Sequence, residues 1–323
     1  MFREKLFKKS LHKLQTIQHE FLPKRIYQNY SIDRVWSAIN PLPSTSNSTK
    51  MKSAPGFELL ILATNWGFEG SLNDFCLRIK KDGYDGAEVW CPSDEAQCKT
   101  LAATFHEHGL KFGFLVGGSE KDFAKHYQQF EDNLKRAVSL QPIYINCHSG
   151  RDFFSFEQNK KFIDLTTSIG SEKGVPIYHE THRSRILYSA PIARQFIEKI
   201  PSLQLTLDIS HWCNVHESLL EDQQETVALA INRTSHIHAR IGHSEGPQVN
   251  DPRAPEWRKV VEAHWAWWDQ VVAAKKKEGK RMTFLTEFGP IDYMPAMPYT
   301  RQPLANQWDI NVHMLKTLRE RYA

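Results

Sequence analysis

The sequence predicts a single (β/α)₈ barrel, because short apolar runs alternate eight times with longer amphipathic segments between residues 57 and 290. Barrels of this kind run from roughly 200 to more than 400 residues as one unit, and 323 residues fall within that range. Length alone leaves two smaller domains open. With 41% hydrophobic and 24% charged residues, the composition is that of a globular chain with a large core and excludes a mainly disordered one.

The first fifty residues differ from the rest. Apolar residues recur at helical spacing from Phe2 to Phe21 with Lys and Gln between them, which predicts a basic amphipathic helix. The segment 41–55 (PLPSTSNSTKMKSAP) has the composition of a linker. We therefore expect a leader and linker over residues 1–55 and the barrel over 56–323. Three origins of the leader stay open: a targeting or surface-binding helix, a helix packed under the barrel, or a start codon placed too early.

The eight apolar runs define the predicted strands. They are Glu58–Trp66, Gly86–Trp90, Lys111–Val116, Ile143–His148, Pro176–Glu180, Leu203–Asp208, His236–Ile241 and Met282–Glu287. Amphipathic segments such as Asp94–His108 and Lys121–Leu140 separate them and predict the helices. A doubly wound open sheet is the main alternative, but such a sheet usually has a glycine-rich phosphate turn after its first strand, and TNWGFEGS does not supply one.

Charge and cysteine content exclude several classes of protein. The first fifty residues carry nine Lys/Arg and three Asp/Glu, so the remainder has 32 basic and 34 acidic residues and offers no basic track for nucleic acid. The five cysteines form no C-x-x-C pair, which disfavours a disulfide framework or a cysteine zinc site and fits a reducing, cytoplasmic compartment. No apolar run reaches about 18 residues, so no membrane span is expected.

Five predicted strands end in charged or imidazole side chains. These are His148 in INCHSG, Glu180 in YHETHR, Asp208 and His211 in LDISHW, His238 and Arg240 in HIHAR, and Glu287 in TEFGP. Each one taken singly is often only solvated surface, since strands end where the chain reaches water. In a barrel, however, the carboxyl ends of all strands meet at one face, so these side chains are expected to lie together.

Alternation along the strands supports an inward position for several of these residues. In strand seven His236, His238 and Arg240 share one face, and strand four repeats this with Tyr144, Asn146 and His148. Buried polar groups without partners would cost several kcal/mol, and a divalent cation satisfies carboxylates and imidazole together.

The donor set indicates which cation would bind. Three carboxylates and one imidazole around an open position suit Mn²⁺ or Mg²⁺, with Zn²⁺ or Co²⁺ left open. A structural zinc site is disfavoured because it would use cysteines in a closed tetrahedron.

These motifs resemble the xylose-isomerase-like TIM-barrel superfamily, which includes sugar-phosphate isomerases and epimerases, ketose 3-epimerases, inosose dehydratases and a branch of AP endonucleases. The resemblance spans roughly residues 57–290 and rests on a Glu ending strand five, Asp-x-x-His after strand six, His-x-His in strand seven and a Glu ending strand eight. It implies four metal ligands: Glu180, Asp208, His238 and Glu287. Glu88 in GAEVW matches the family's second-strand Glu more loosely.

The resemblance also implies a chemistry: proton transfer through an enediolate on a small sugar or keto-sugar, with the metal bridging carbonyl and hydroxyl. Glu180 and Glu287 would be the acid and base. The expected substrate-binding residues are His211, Arg240, His148, His182 and Trp66. For His182, a surface position in a charged loop is an equal alternative.

The AP endonuclease branch fits less well. Its site needs three metal ions, further histidines from strands two and three and a late Asp-x-His pair. Here strand three ends in VGGS, and the nearest late candidate is Asp251-Pro252-Arg253. We therefore expect a one-metal site.

Other functions remain to be separated by experiment. A metal-dependent lyase or dehydratase acting on an inosose or 3-keto-sugar is the main alternative, and a non-catalytic sugar-binding barrel is a further one. The loop 240–256, rich in Gly, Pro and Asx, is expected to cover the site. The absence of a glycine-rich cradle after strands seven and eight favours an unphosphorylated substrate, and homo-oligomerisation is left open.

Overall fold

Residues 55–323 form a closed barrel of eight parallel strands in a computed structural model. The strands are β1 Glu58–Thr64, β2 Gly86–Trp90, β3 Lys111–Gly117, β4 Ile145–His148, β5 Ile177–Glu180, β6 Leu205–Leu207, β7 Thr234–His238 and β8 Arg281–Thr286. Strand β8 pairs with β1 from Glu58↔Arg281 to Ala63↔Thr286, which closes the sheet. The predicted (β/α)₈ barrel is confirmed.

Helices connect consecutive strands on the outside of the barrel. They are α1 Leu72–Asp82, α2 Glu95–Glu107, α3 Phe123–Ser139, α4 Phe156–Lys173, α5 Ala190–Lys199, α6 Ile209–Val215, α7 Gln224–Arg233, α8 Arg258–Glu278 and α9 Gln307–Tyr322, with a 3₁₀ turn at Pro255–Trp257. Local signals set several boundaries. Ser155 caps the start of α4 in a capping box with Gln158, and Gly174 ends it with a left-handed φ of 68°, a conformation that glycine adopts without steric cost.

Strand ends differ from the predictions where the ladder stops early. Strand β2 has the predicted bounds, but β1 ends at Thr64, before Trp66. Strand β6 has only three residues, and its register to β7 shifts between Leu205 and Thr206. Strand β7 accordingly ends at His238, two residues before Arg240, so Arg240 lies on the segment that leaves the barrel.

The barrel interior is filled in layers. Leu62, Tyr144 and Leu285 form an apolar cluster inside the sheet, separate from the core between strands and helices. A Cβ at Gly113 of β3 would lie 2.7 Å from Tyr144 Cζ, so glycine leaves room for this ring. The Tyr144 ring contacts that of His236 at 4.4 Å between centroids. Polar groups therefore begin directly above the apolar layer and continue toward the carboxyl ends of the strands.

Residues 1–54 lie outside the described residues, and so does the predicted amphipathic helix with nearly all of its linker. Within residues 55–323, no helix combines the length and apolar composition that a membrane crossing needs.

Candidate metal centre

Four side chains from the ends of consecutive strands converge at one mouth of the barrel. Glu180, Asp208, His238 and Glu287 each offer one ligand atom, and these four atoms lie within 4.8 Å of one another. All four residues are at least nine-tenths buried. The structure thus brings together the residues that the sequence predicts as ligands.

Local structure explains how each side chain is directed. Glu180 and His238 are the last residues of β5 and β7, and Glu287 follows β8 directly. Asp208 is the N-cap of α6, and its Oδ1 accepts a hydrogen bond from the Ser210 backbone N–H at 3.1 Å. Thr181 Oγ1 donates to the Asp208 carbonyl and accepts from its N–H, both at 2.9 Å, which ties the ends of β5 and β6. Rigid elements therefore set the spacing of the site.

Within residues 55–323, three buried atoms of this set have no hydrogen-bond partner. They are Glu180 Oε1, His238 Nδ1 and Glu287 Oε2. His238 Nδ1 lies 2.8 Å from Glu287 Oε2 and 3.6 Å from Glu180 Oε1, without hydrogen-bond geometry. Unpartnered buried carboxylate oxygens cost several kcal/mol, and a cation among them would remove that cost. This donor set therefore fits a divalent metal ion.

The second nitrogen of His238 is held by Glu88. Nε2 lies 3.1 Å from Glu88 Oε1 and 3.1 Å from Asn146 Nδ2, and the other Glu88 oxygen lies 3.2 Å from His236 Nε2. A carboxylate that accepts a proton from one imidazole nitrogen leaves the lone pair of the other nitrogen free for a metal. Glu88 thus contacts the predicted ligand His238 on the side of the ring that faces the barrel interior.

Charges of the acidic set act on one another. Although burial favours neutral Glu180, His148 and His238 hold the pKa of its carboxyl well below the usual range. Burial alone would lower the pKa of His238, but Glu287, Glu180 and Glu88 raise it well above the ordinary value. Burial, opposed by Arg240, raises the pKa of Asp208 to about 6. The centre therefore attracts positive charge.

A row of three histidines lines one side of the centre. His148 Nε2 lies 2.9 Å from Glu180 Oε2. The ring centroid of His182 lies 4.4 Å from that of His148 and 3.9 Å from that of His211. His182 thus contacts two other predicted site residues and is only partly exposed. Burial first, and neighbouring positive charge second, hold the pKa of both His182 and His211 well below the histidine value, so both imidazoles are neutral near pH 7.

Ligand atoms recur in two overlapping groups. Glu88, His236 and His238 form one, and His148, Glu180 and His182 form the other. Each shares one residue with the main set. In the segment Asp251-Pro252-Arg253, Arg253 Nη2 lies 2.6 Å from Asp251 Oδ2 and occupies that carboxylate.

Arg240, which was predicted to bind substrate, contacts the acidic residues of the centre directly. It is 1% exposed, and its Nη2 donates to Asp208 Oδ2, lies 2.9 Å from His211 Nε2 and 3.5 Å from Glu287 Oε2. Its guanidinium therefore orients carboxylates of the site in this structure.

Tyr293 belongs to the site and was missed in the sequence. It lies in the loop between β8 and α9, where its ring packs 4.6 Å from Arg240 Cζ and 5.2 Å from Arg183 Cζ. Trp66 meets the same ring edge-on at 4.9 Å and is 37% exposed at the mouth. The segment FGPIDYMPAMP has no periodic pattern that would place this tyrosine.

The loop after β7 is joined to the loop after β8. Gln248 Nε2 donates to the Gly289 carbonyl at 3.2 Å, and the Gly289 N–H donates to Gln248 Oε1 at 2.7 Å. The predicted long loop 240–256 therefore packs against the segment that carries Tyr293.

The family of xylose isomerase-like TIM barrels matches residues 76–255, more than half of the chain. The chain belongs to this family. Strands β2 to β7 and three of the four converging residues lie inside the matched region, while Glu287 lies beyond it. A search of curated protein sequences finds no significant match.

Solved structures agree on the fold at low sequence identity. The 3-keto-D-glucoside 4-epimerase YcjR of E. coli has a TM-score of 0.56 and 15% identity and covers 81% of this chain and 100% of its own. The D-allulose 3-epimerase of Methylomonas sp. has a TM-score of 0.54 and 14% identity, and the match covers 84% of this chain and 100% of the epimerase. The probable 3-DHS dehydratase AsbF of Bacillus anthracis has a TM-score of 0.51 and 14% identity, and the match covers 82% of this chain and 100% of the dehydratase. Likeness at this identity concerns the fold.

Proposed function

We propose that this protein is a metal-dependent isomerase or epimerase of a small sugar or keto-sugar. One observation carries the proposal: the ligand atoms of Glu180, Asp208, His238 and Glu287 lie within 4.8 Å of one another at the barrel mouth. Those four residues would hold the ion, which we expect to be Mn²⁺ or Mg²⁺ from the three oxygen donors and one nitrogen.

A bound divalent cation would polarise the substrate carbonyl and adjacent hydroxyl and stabilise the negative charge that develops when a C–H proton leaves. The carboxylates of Glu180 and Glu287 are then the groups placed to accept and return that proton. Glu180 is ionised near pH 7, as a proton acceptor must be, because His148 and His238, acting against burial, keep its pKa well below the usual range.

Neighbouring residues would orient the substrate. The neutral imidazoles of His182 and His211 each offer one donor and one acceptor for sugar hydroxyls. Trp66 and Tyr293 present an aromatic wall at the mouth, 4.9 Å apart between centroids, against which a sugar ring can pack. The joined loops after β7 and β8 would exclude water from this side of the cavity.

Chelation and isotope exchange test the proposal together. We expect a chelator to abolish turnover of keto-sugars, Mn²⁺ or Mg²⁺ to restore it, and deuterium from D₂O to enter the product carbon. Full activity of the protein without metal, shown by elemental analysis, would refute it.

A lyase reaction on the same centre is a second candidate. His148, whose Nε2 lies 2.9 Å from Glu180 Oε2, would supply the acid that a leaving hydroxyl needs, while the neutral His182 and His211 bind the substrate. Solved structures of this fold include both epimerases and a probable dehydratase. The mass of the product decides: an isomerase leaves it unchanged, whereas a dehydratase lowers it by one water.

A further inference from the structure

Two arginines at the barrel mouth have no acidic partner. Arg151 follows β4 and Arg185 follows β5, and within residues 55–323 neither lies within ion-pair distance of a carboxylate. The Nε atoms of both are buried and have no hydrogen-bond partner. Both residues are half-buried, and a charge withdrawn from solvent in this way is usually paired.

The loops that carry the two arginines lie side by side, since the Ile186 backbone N–H donates to the Ser149 carbonyl at 3.2 Å. Burial first, and the charge of Arg151 second, lower the pKa of Arg185, while Glu180 and Asp152 oppose this from beyond ion-pair distance. Arg185 Nη1 donates weakly to the Gly118 carbonyl at 3.4 Å. Arg151 packs over the exposed Phe153 ring at 5.3 Å. The two positively charged side chains therefore have N–H donors that no described acceptor uses.

A buried histidine completes this group. His126 is fully buried, and its Nδ1 lies 2.7 Å from the Glu120 carbonyl, which fixes the proton on Nδ1. Its Nε2 has no partner and therefore presents a lone pair. A Cβ at Gly118 would lie 2.8 Å from this Nε2, so only glycine allows the close approach. Both arginines lie near enough to disfavour a positive charge on His126.

The arginine group is connected to the metal centre through His148. Gly117, next to Gly118, pairs with His148 in the sheet, and a Cβ on it would touch His148 Cβ at 3.2 Å. His148 Nε2 in turn lies 2.9 Å from Glu180 Oε2. Gly118, which accepts from Arg185 Nη1, is thus one residue from the strand pair that carries His148.

We propose that Arg151 and Arg185 bind an anionic group, a carboxylate or phosphate, on the substrate of the metal centre. This rests on the proposed function for the identity of the reacting sugar. Two guanidinium groups supply the donors that a carboxylate or phosphate accepts in pairs. The substrate class is then a sugar acid or sugar phosphate. An unphosphorylated substrate was expected because no glycine-rich turn follows strands seven and eight. The two arginines offer side-chain donors that a phosphate can use in place of such a turn.

Binding of matched probes tests the assignment. Calorimetry would compare D-gluconate, D-glucose 6-phosphate and uncharged sorbitol on the protein as purified and again after chelation. We expect one or both anions to bind about ten-fold or more tighter than sorbitol in both states. The anion that binds more tightly shows whether the group is a carboxylate or a phosphate.

Variants then locate the site. Arg151→Gln and Arg185→Gln should each weaken anion binding about ten-fold while metal content and melting temperature stay at parental values. Arg194→Gln is the control, because Arg194 is exposed on α5 and pairs only with the surface residues Glu198 and Glu225. Equal binding of anions and sorbitol, or anion binding that survives both variants, overturns the assignment. Anion binding without any metal binding would instead refute the proposed function and leave the arginine site standing.

Discussion

The mouth of the barrel has an acidic half and a basic half, and they are built differently. Carboxylates of the acidic half project from the ends of strands β5 to β8, where the sheet sets their spacing. The arginines of the basic half lie on loops after β4 and β5. Both halves contain buried polar atoms without partners. The comparison shows that functional residues at strand ends can be predicted from the sequence, whereas functional residues on loops cannot.

Neutralising one carboxylate of the acidic half should have the largest effect. Glu180→Gln keeps the shape of the side chain but removes the proton acceptor, so we expect turnover of the keto-sugar substrate to fall about a thousand-fold. Steady-state kinetics at saturating metal checks this. Glu198→Gln, on the surface of α5, is the matched control and should be unaffected. Near-parental turnover of Glu180→Gln would remove this carboxylate from the mechanism.

Glu88 tests whether the acidic half depends on a partner beneath it. Glu88→Gln weakens the acceptor that holds the Nε2 proton of His238, so metal affinity should drop about ten- to hundred-fold. Competition with a chelator dye measures it. Glu58→Gln makes the same change at the opposite end of the barrel, where Glu58 pairs with Arg281 at 2.6 Å. Unchanged affinity in a folded Glu88→Gln protein would show that His238 needs no such support.

A histidine outside both halves should control acid stability. His264 of α8 is fully buried, accepts from the Gly242 N–H at 3.3 Å through Nε2 and donates from Nδ1 to the Val260 carbonyl at 2.9 Å. Burial lowers its pKa to about 4.

Because this folded pKa lies below the unfolded value of about 6.5, the stabilisation is complete above pH 6.5 and is lost as pH falls toward 4, at about 1.4 kcal/mol per pH unit. Urea unfolding at pH 7 and pH 5 should thus show a loss of about 2 kcal/mol that is absent in His264→Gln. An equal loss in both proteins would assign the acid sensitivity to other groups.

Tyr293 packs on Arg240 of the acidic half and on Arg183 of the loop after β5, and it should have the smallest effect. Tyr293→Leu removes two cation–π contacts worth about 0.5–1 kcal/mol each, so KM should rise about five- to thirty-fold with kcat less affected. Tyr293→Phe keeps the ring and should stay near the parent. If Phe and Leu behave alike, the hydroxyl and not the ring face is what matters.

Much of the fold could be predicted because its signals are local. Alternation of apolar runs and amphipathic segments located all eight strands, and the predicted bounds of β2 were those of the structure. The same route placed the four converging residues at strand ends, since the carboxyl ends of parallel strands must meet, and the family resemblance singled them out as ligands. His182 could not be placed from sequence, as its surroundings are formed by His148 of β4 and His211 of α6.

By itself, the sequence predicted the barrel, its strand order and the residues at the strand ends, because eight alternating units without a glycine-rich phosphate turn favour a closed barrel over an open sheet. Only the tertiary structure decided that Glu88 lies under His238, that Tyr293 packs on Arg240, and that Arg151 and Arg185 lie together without a carboxylate. Those contacts join side chains far apart in sequence or on irregular loops, where no repeating pattern links a residue to its neighbour in space.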